Sequence, residues 1–155
     1  MIIHRDILFL LDATGSMQKY IDQVRDTIQQ ICDRLVATGK WSKGNLRFGL
    51  ITFRDHPPQD ETYVTREYPF ESDVNAVESN LAKVVAAGGG DGPEAQSDAL
   101  AGALSAGWKD DATKVAVLIT DSPPHGINED EDKIPGGCPL RAWQTFTALV
   151  ATTDA

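Results

Sequence analysis

Two apolar runs, each closed by an aspartate, constrain the fold of this chain more than any other feature of its sequence. Residues 6–12 read Asp-Ile-Leu-Phe-Leu-Leu-Asp, and residues 114–121 read Lys-Val-Ala-Val-Leu-Ile-Thr-Asp. A run without polar alternation is typical of a strand buried on both faces, as in parallel sheets that helices cover on both sides. The runs therefore predict two central strands, each with an aspartate at its carboxyl end.

Helical and strand patterns alternate along the rest of the chain. Apolar residues spaced three and four apart predict helices over residues 21–35, 74–84, 95–104 and 140–150, with Pro93 at the first position of the third helix. Continuous or alternating apolar residues predict a strand over residues 46–53 and a short edge strand over residues 63–70. This order predicts an α/β fold: a three-layer αβα, Rossmann-like, doubly wound sheet, mostly parallel with one antiparallel edge strand.

Length and composition agree with one folded domain. We assign residues 1–155 to a single domain. A doubly wound domain usually continues with another strand after its last helix, so we expect the C-terminal part to be cut short. The two cysteines, Cys32 and Cys138, are too few for a disulfide framework and are expected to be free thiols in a reducing compartment.

The charge balance restricts the class of partner. Asp and Glu number 23 against 14 Lys and Arg, which gives a formal net charge of −9. Nucleic acids and anionic membrane surfaces attract basic proteins, so neither is an expected partner, whereas cations or a basic protein surface are compatible. The sequence carries no signal-peptide pattern and no apolar run long enough to span a membrane. We therefore predict a cytoplasmic location without direct membrane insertion.

Three clusters of oxygen-bearing side chains follow predicted strands or precede a predicted helix. They are Asp12, Thr14 and Ser16 after the first strand, Asp91 in the glycine loop at residues 88–92, and Asp121 after the last strand. Ligands of open α/β sheets bind at the carboxyl ends of the strands. Carboxylates and hydroxyls suit hard cations, Mg²⁺ first and Mn²⁺ or Ca²⁺ as alternatives. A turn with a helix cap accounts for the first cluster alone but not for all three, so we predict a metal site.

Further polar residues lie on the same predicted rim. Asp55 and His56 follow the second strand, and His125 follows the last one. Together with Asp121 they offer an alternative His/Asp site for Zn²⁺, although their spacing matches no ligand motif, so a role in shaping the rim is favoured. The acidic run at residues 129–132 lacks the spacing of a calcium loop and is expected to be a solvated surface loop.

The oxygen cluster resembles a known family. Residues 12–17, Asp-Ala-Thr-Gly-Ser-Met, resemble the metal-ion-dependent adhesion site of von Willebrand factor A domains, Asp-x-Ser-x-Ser, with Thr14 in the first serine position. Asp121 matches the third-loop aspartate of the family, and the resemblance extends over nearly all residues from Asp6 onward. The second loop of the family normally supplies a threonine after Gly-Gly. Here Asp91 takes that place, which implies firmer cation holding and a weaker pull on an acidic ligand.

Other details resemble a subgroup, the A domains attached to some alpha-kinases. They are Arg-Asp-His at residues 54–56, Gly-Gly-Asp-Gly-Pro-Glu at residues 89–94, Trp108, Asp-Ser-Pro-Pro-His-Gly at residues 121–126 and Pro-Gly-Gly-Cys-Pro at residues 135–139. The resemblance implies a regulatory or targeting module. It also implies that one coordination position of the metal stays open for an Asp or Glu carboxylate of a protein partner.

Enzyme motifs have little support in the sequence. Ser16 is not in Gly-x-Ser-x-Gly, no Gly-x-x-x-x-Gly-Lys phosphate loop exists, and the triple glycine does not follow the first strand. A Mg²⁺-dependent phosphatase-like hydrolase with Asp12 as nucleophile stays an alternative, although that class wants a second acid where Thr14 stands. A metal-free interaction scaffold is the other alternative. We predict a non-enzymatic, divalent-cation-dependent protein-binding module.

Overall fold

A four-stranded sheet with helices on both faces forms the fold in the computed structural model, which describes residues 4–41 and 44–139. The strands are β1 (His4–Asp12), β2 (Leu46–Phe53), β3 (Thr65–Glu71) and β4 (Ala112–Ile119). The helices are a 3-10 turn (Gly15–Lys19), α1 (Ile21–Ala37), α2 (Val74–Leu81) and α3 (Gln96–Ser105). None of these described helices is both long enough and apolar enough to cross a membrane.

The strand order β3-β2-β1-β4 confirms the predicted sheet. β1 pairs in parallel with β2 and with β4, and β2 pairs antiparallel with β3. Asp12 lies opposite Phe53, and Leu11 lies opposite Ile119, so the carboxyl ends of β1, β2 and β4 meet at one edge of the sheet. The register therefore brings together the polar segments that follow these strands.

The core is divided between the two faces of the sheet. α1 and α2 cover one face, where Phe9 and Leu11 of β1 belong to the same buried cluster as Ile28 of α1. α3 covers the other face, where Leu8 and Leu10 of β1 join the alanines of the helix. Successive residues of β1 thus point into different cores, which is why the sequence of this strand has no polar alternation.

Several details differ from the sequence prediction. Val115 and Leu118 are each 40% exposed, because β4 is one of the two edge strands among the described residues, so the expectation that both faces of β4 are buried was wrong. Leu104, expected on the packed face of α3, is 51% exposed. Pro93 lies before α3, which begins at Gln96. The helix predicted over residues 140–150 lies outside the described residues.

Candidate functional site

Asp12, at the end of β1, is the most firmly held carboxylate of the predicted site. It is fully buried. Its Oδ1 accepts from the backbone N of Thr14 at 2.9 Å and from Thr14 Oγ1 at 2.6 Å, and its Oδ2 accepts from Thr120 Oγ1 at 2.7 Å. Burial raises the pKa of Asp12 despite these hydrogen bonds, and the charge of Asp121 raises it further. A cation would relieve the cost of keeping this carboxylate ionised.

The hydroxyls of Thr14 and Ser16 form the second part of the site. Ser16 Oγ donates to Asp121 Oδ1 at 2.8 Å, and the two hydroxyl oxygens lie 3.2 Å apart. Each hydroxyl has one proton. If both protons are donated to Asp12 and Asp121, each hydroxyl oxygen keeps its lone pairs free to bind a cation. Neighbouring oxygen ligands of an octahedral Mg²⁺ ion lie about 3.0 Å apart, so the pair already has nearly this spacing.

The glycine loop approaches these residues closely. Gly15 N donates to Gly88 O at 2.9 Å, which joins this loop to the turn after β1. Gly89 has a φ of +77°, and a Cβ on it would lie 2.8 Å from Glu94 Oε1 and 3.3 Å from Thr14 Cβ. The absence of a side chain at Gly89 therefore lets the Glu94 carboxyl pack beside Thr14.

Glu94 is the residue that the sequence prediction left unassigned. It is 2% exposed, and its Oε2 has no hydrogen-bond partner among the described residues. Burial and the negative charges of Asp12, Asp55 and Asp91 raise its pKa to about 9. The described residues place no Lys or Arg within hydrogen-bonding distance of Asp12, Glu94 or Asp121. The two buried acids Asp12 and Glu94, with an unpartnered oxygen on Glu94, fit a divalent cation. The sequence did contain a signal for this residue, because Glu94 is the second acid of Gly-Gly-Asp-Gly-Pro-Glu at residues 89–94.

Asp91, which the sequence predicted as the ligand from this loop, takes part in a different set of contacts. Its Oδ2 accepts from Lys133 N at 2.7 Å. Burial raises its pKa, and the neighbouring Asp55 raises it further. Asp91 also lines an open pocket of about 320 Å³ together with Ser16 and Glu94. The structure thus joins Asp12, Thr14, Ser16 and Asp121 by hydrogen bonds and directs Asp91 toward Asp55 and Lys133.

His125 is held between two carboxylates. The ring is 1% exposed, with Nε2 lying 2.7 Å from Asp55 Oδ1 and Nδ1 lying 2.7 Å from Asp132 Oδ1. Burial lowers the pKa of His125, but the hydrogen bonds to Asp55 and Asp132 outweigh it and the pKa is raised. An acceptor at each ring nitrogen is the arrangement of an imidazolium. Asp132 also accepts from Gly126 N at 2.7 Å, so it anchors the loop and is not the solvated residue that the sequence predicted.

The other predicted rim residues make separate contacts, although the rings of His56 and His125 lie 6.2 Å apart. His56 Nε2 lies 2.9 Å from Asp98 Oδ2, in a separate contact. Asp121 contacts Ser16 and lies 3.3 Å from the Ser122 hydroxyl. Of the residues predicted for the alternative zinc site, Asp55 and His125 therefore lie together with Asp91, while His56 and Asp121 have other hydrogen-bond partners.

Arg54 fixes the backbone beneath the site. Its guanidinium donates to Ala13 O at 3.1 Å, to Thr62 Oγ1 at 2.8 Å and to Val85 O at 2.8 Å. The residue is 8% exposed, and these acceptors belong to three different segments of the chain. A planar fork of donors suits this task, because it holds three segments in fixed relative positions.

Known proteins resemble this chain in sequence and in fold. The sequence model of the von Willebrand factor A domain matches residues 6–133. The alpha-protein kinase vwkA of Dictyostelium discoideum is 32% identical over 136 residues, which are 86% of this chain and 21% of that protein. The chain thus spans about a fifth of the length of this curated relative.

Solved structures share the fold at low sequence identity. The pilus adhesin SpaC of Lactobacillus rhamnosus GG, in an open conformation, aligns with a TM-score of 0.63 and 18% identity over 79% of this chain and 15% of that one. Proximal thread matrix protein 1 of the mussel byssus, with a zinc-occupied MIDAS motif, aligns with a TM-score of 0.61 and 22% identity over 81% of this chain and 30% of that one. The predicted family resemblance is confirmed, and this chain belongs to the von Willebrand factor A domain family.

Proposed function

We propose that this chain is a non-enzymatic protein-binding module that depends on a divalent cation, with Mg²⁺ as the cation best suited to its ligands. The observation that carries the proposal is the arrangement of Thr14 and Ser16, whose hydroxyl oxygens lie 3.2 Å apart and also hydrogen-bond to Asp12 and Asp121. Hydrogen bonds thereby link four oxygen-bearing side chains from two loops into one cluster. Oxygen ligands and a small shell favour Mg²⁺ over softer metals.

The second loop contributes Glu94 in this proposal, in place of the predicted Asp91. Support comes from the unpartnered Glu94 Oε2 and from the close approach of its carboxyl to Thr14. Asp91 already accepts from Lys133 N and faces Asp55. Asp91 lines the pocket and adds negative charge there, which helps to attract a cation to its rim.

A partner is recognised at the mouth of the pocket that Ser16, Asp91 and Ser122 help to line. When bound, the cation supplies a coordination position that an Asp or Glu carboxylate of the partner fills. The surrounding surface is acidic and repels a carboxylate in the absence of the cation, so binding of the partner carboxylate depends on the metal. The mussel relative is described with a zinc-occupied MIDAS motif and SpaC as a pilus adhesin, which supports the same use of the site here. We place the module in the cytoplasm, where its two buried thiols stay reduced.

A peptide display library tests the proposal directly. Random peptides are panned on the chain in Mg²⁺ and eluted with a chelator. We expect the eluted peptides to be enriched in Asp and Glu, to bind in Mg²⁺ or Mn²⁺, and to lose binding to Asp12→Asn.

The matched control for this variant is Asp22→Asn, because Asp22 is an exposed aspartate in the first turn of α1. It removes one negative charge away from the site and is expected to retain binding. Bound peptides that the chelator fails to elute, or eluted peptides that bind equally well to Asp12→Asn, would contradict the proposal and favour a metal-free scaffold.

A further inference from the structure

A second group of metal-binding side chains lies on the same edge of the sheet and takes no part in the site described above. It consists of His56, Asp98 and Cys138, whose ligand atoms all lie within 4.8 Å of one another. His56 follows β2, Asp98 lies in the first turn of α3, and Cys138 lies in the segment after β4. The fold thus brings one nitrogen, one oxygen and one sulfur donor together from three distant parts of the chain.

The contacts within this group centre on Asp98. His56 Nε2 lies 2.9 Å from Asp98 Oδ2. The thiol of Cys138 lies within 4.8 Å of the same carboxylate, and burial together with Asp98 raises the pKa of Cys138 to about 12. Cys138 is 2% exposed and Asp98 is 7% exposed, so this is not a solvated surface cluster.

We propose that His56, Asp98 and Cys138 form a zinc-binding site. A neutral imidazole, a carboxylate and a thiolate carry two negative charges in total, so a Zn²⁺ ion would make the buried group neutral. On binding, the thiol proton leaves to solvent and a Zn–S bond takes its place. Three protein ligands leave one of the four tetrahedral positions of Zn²⁺ for water.

The geometry requires only a small adjustment. Zinc bonds of about 2.0–2.3 Å in a tetrahedron place neighbouring ligand atoms about 3.3–3.8 Å apart. The three ligand atoms already lie within 4.8 Å of one another, and the imidazole and carboxylate are somewhat closer than in such a shell. Side-chain rotations that move the ligand atoms by roughly 1 Å therefore bring the three atoms to the spacing of a tetrahedral zinc shell.

The donor set also separates this site from the first one in metal preference. A thiolate and an imidazole favour Zn²⁺ over Mg²⁺, whereas the carboxylates and hydroxyls around Asp12 favour Mg²⁺. An ion at this position would link the segment carrying Cys138 to β2 and to α3. It would therefore hold that segment against the rim on which the partner-binding pocket lies.

Cobalt provides the probe, because a thiolate bound to Co²⁺ gives an intense near-ultraviolet charge-transfer band that oxygen ligands do not give. The chain has two cysteines, so such a band reports on Cys138 or on Cys32. We expect one Co²⁺ per chain to produce the band in the wild-type protein, and one equivalent of Zn²⁺ to abolish it. A wild-type protein that shows no such band at millimolar Co²⁺ overturns the proposal.

Variants assign the band to residues. Cys138→Ser is expected to abolish it and His56→Gln to weaken Co²⁺ affinity at least tenfold, since even the loss of an outer-shell partner costs roughly 10–100-fold. Cys32→Ala is the matched control, because it removes the thiol buried in α1, and Asp12→Asn is the control for the oxygen site; both are expected to retain the band. A band that survives in Cys138→Ser, or affinity unchanged in His56→Gln, would overturn the assignment. Loss of the band only in Asp12→Asn would do the same.

Discussion

His125 Nε2 lies 2.7 Å from Asp55 Oδ1, although 70 residues separate the two along the chain. Both side chains are fully buried, and the other ring nitrogen of His125 contacts Asp132. The ring therefore joins the end of β2 to the acidic loop after β4. Because Asp55 also faces Asp91, the positive imidazolium offsets carboxylate charge beside the pocket.

Replacing His125 by Gln is expected to destabilise the protein by about 3 kcal/mol, because a buried carboxylate loses its charged partner. The pKa of His125 is raised above its unfolded value of 6.5. Its contribution to stability is therefore fully present below about pH 6.5 and is lost as pH rises through the higher folded pKa. Chemical denaturation across pH measures this, with His4→Gln as control, since His4 contacts Lys109 and the exposed Asp111 and neither of the carboxylates that hold His125. Equal, pH-independent losses in both variants would contradict the prediction.

Addition of Mn²⁺ or Mg²⁺ is expected to raise the unfolding temperature of the wild-type protein and not that of Asp12→Asn. A ligand at about 100 times its dissociation constant adds roughly 2.7 kcal/mol to the stability of the native state. For a domain of this size, that is a shift of about 5–10 °C. Differential scanning fluorimetry with and without chelator measures it, and Asp22→Asn should respond as the wild type does. No shift in a folded wild-type protein at millimolar metal would count against the oxygen site.

Glu94→Gln is expected to raise the stability of the cation-free protein at alkaline pH and to reduce the stabilisation that a bound cation provides. In chelator, the wild-type carboxyl has a pKa of about 9 in the folded state and about 4.5 when unfolded. The contribution of this carboxyl to the free energy of unfolding is thus fully present below pH 4.5 and is lost as pH rises toward 9. The total loss is about 1.4 kcal/mol for each unit by which the folded and unfolded pKa values differ. The variant has no such loss and should be the more stable protein at pH 8.

In saturating Mg²⁺ the same Glu94→Gln variant should be stabilised less than the wild type, since it has lost an anionic oxygen. Isothermal titration with Mg²⁺ or Mn²⁺, together with denaturation at several pH values, measures both effects. Glu78→Gln on the exposed face of α2 is the control and should match the wild type. If Glu94→Gln bound the cation as tightly as the wild type, Glu94 would not be a ligand and the predicted Asp91 would regain that place.

Gly89→Ala is expected to destabilise the protein by about 1–3 kcal/mol and to weaken cation binding. The residue has a φ of +77°, and its new Cβ would lie 2.8 Å from Glu94 Oε1. Gly92→Ala in the same loop is a close control, because a Cβ there meets nothing within 4 Å and the φ is not positive. Thermal unfolding and Mn²⁺ titration compare the two variants. Identical behaviour would show that the loop does not need a bare backbone beside Glu94.

Arg54→Lys is expected to cost about 2 kcal/mol although it keeps the positive charge. The guanidinium donates to Ala13 O, Thr62 Oγ1 and Val85 O, and a lysine ammonium cannot reach three acceptors in this fork. Since Ala13 lies within the oxygen cluster, Mn²⁺ affinity should fall as well. Arg34→Lys, on the exposed end of α1, is the control for the loss of a guanidinium. A stability and an affinity equal to those of this control would contradict the role of Arg54.

The sequence determined the features that depend on neighbours along the chain. The apolar runs predicted β1, and the strand predicted over residues 46–53 is β2 without a change of bounds. The turn from Asp12 to Ser16 could also be predicted from the sequence, because its hydrogen bonds join residues two positions apart. The position of Asp121 could be predicted because the carboxyl ends of neighbouring parallel strands meet at one edge of a sheet, so topology places the segment that follows β4 there.

Only the tertiary structure decided which acid of the glycine loop approaches Thr14. Asp91 and Glu94 are three residues apart, and the positive φ values of Gly88 and Gly89 turn the chain in a way that neighbouring sequence does not specify. The contacts of His125 with Asp55 and of His56 with Asp98 span 70 and 42 residues. Their partners are set by packing between distant segments, and the electrostatics of the buried carboxyls follow from that packing. Periodicity reports which face of an element is buried, but it carries no information on which buried side chains meet.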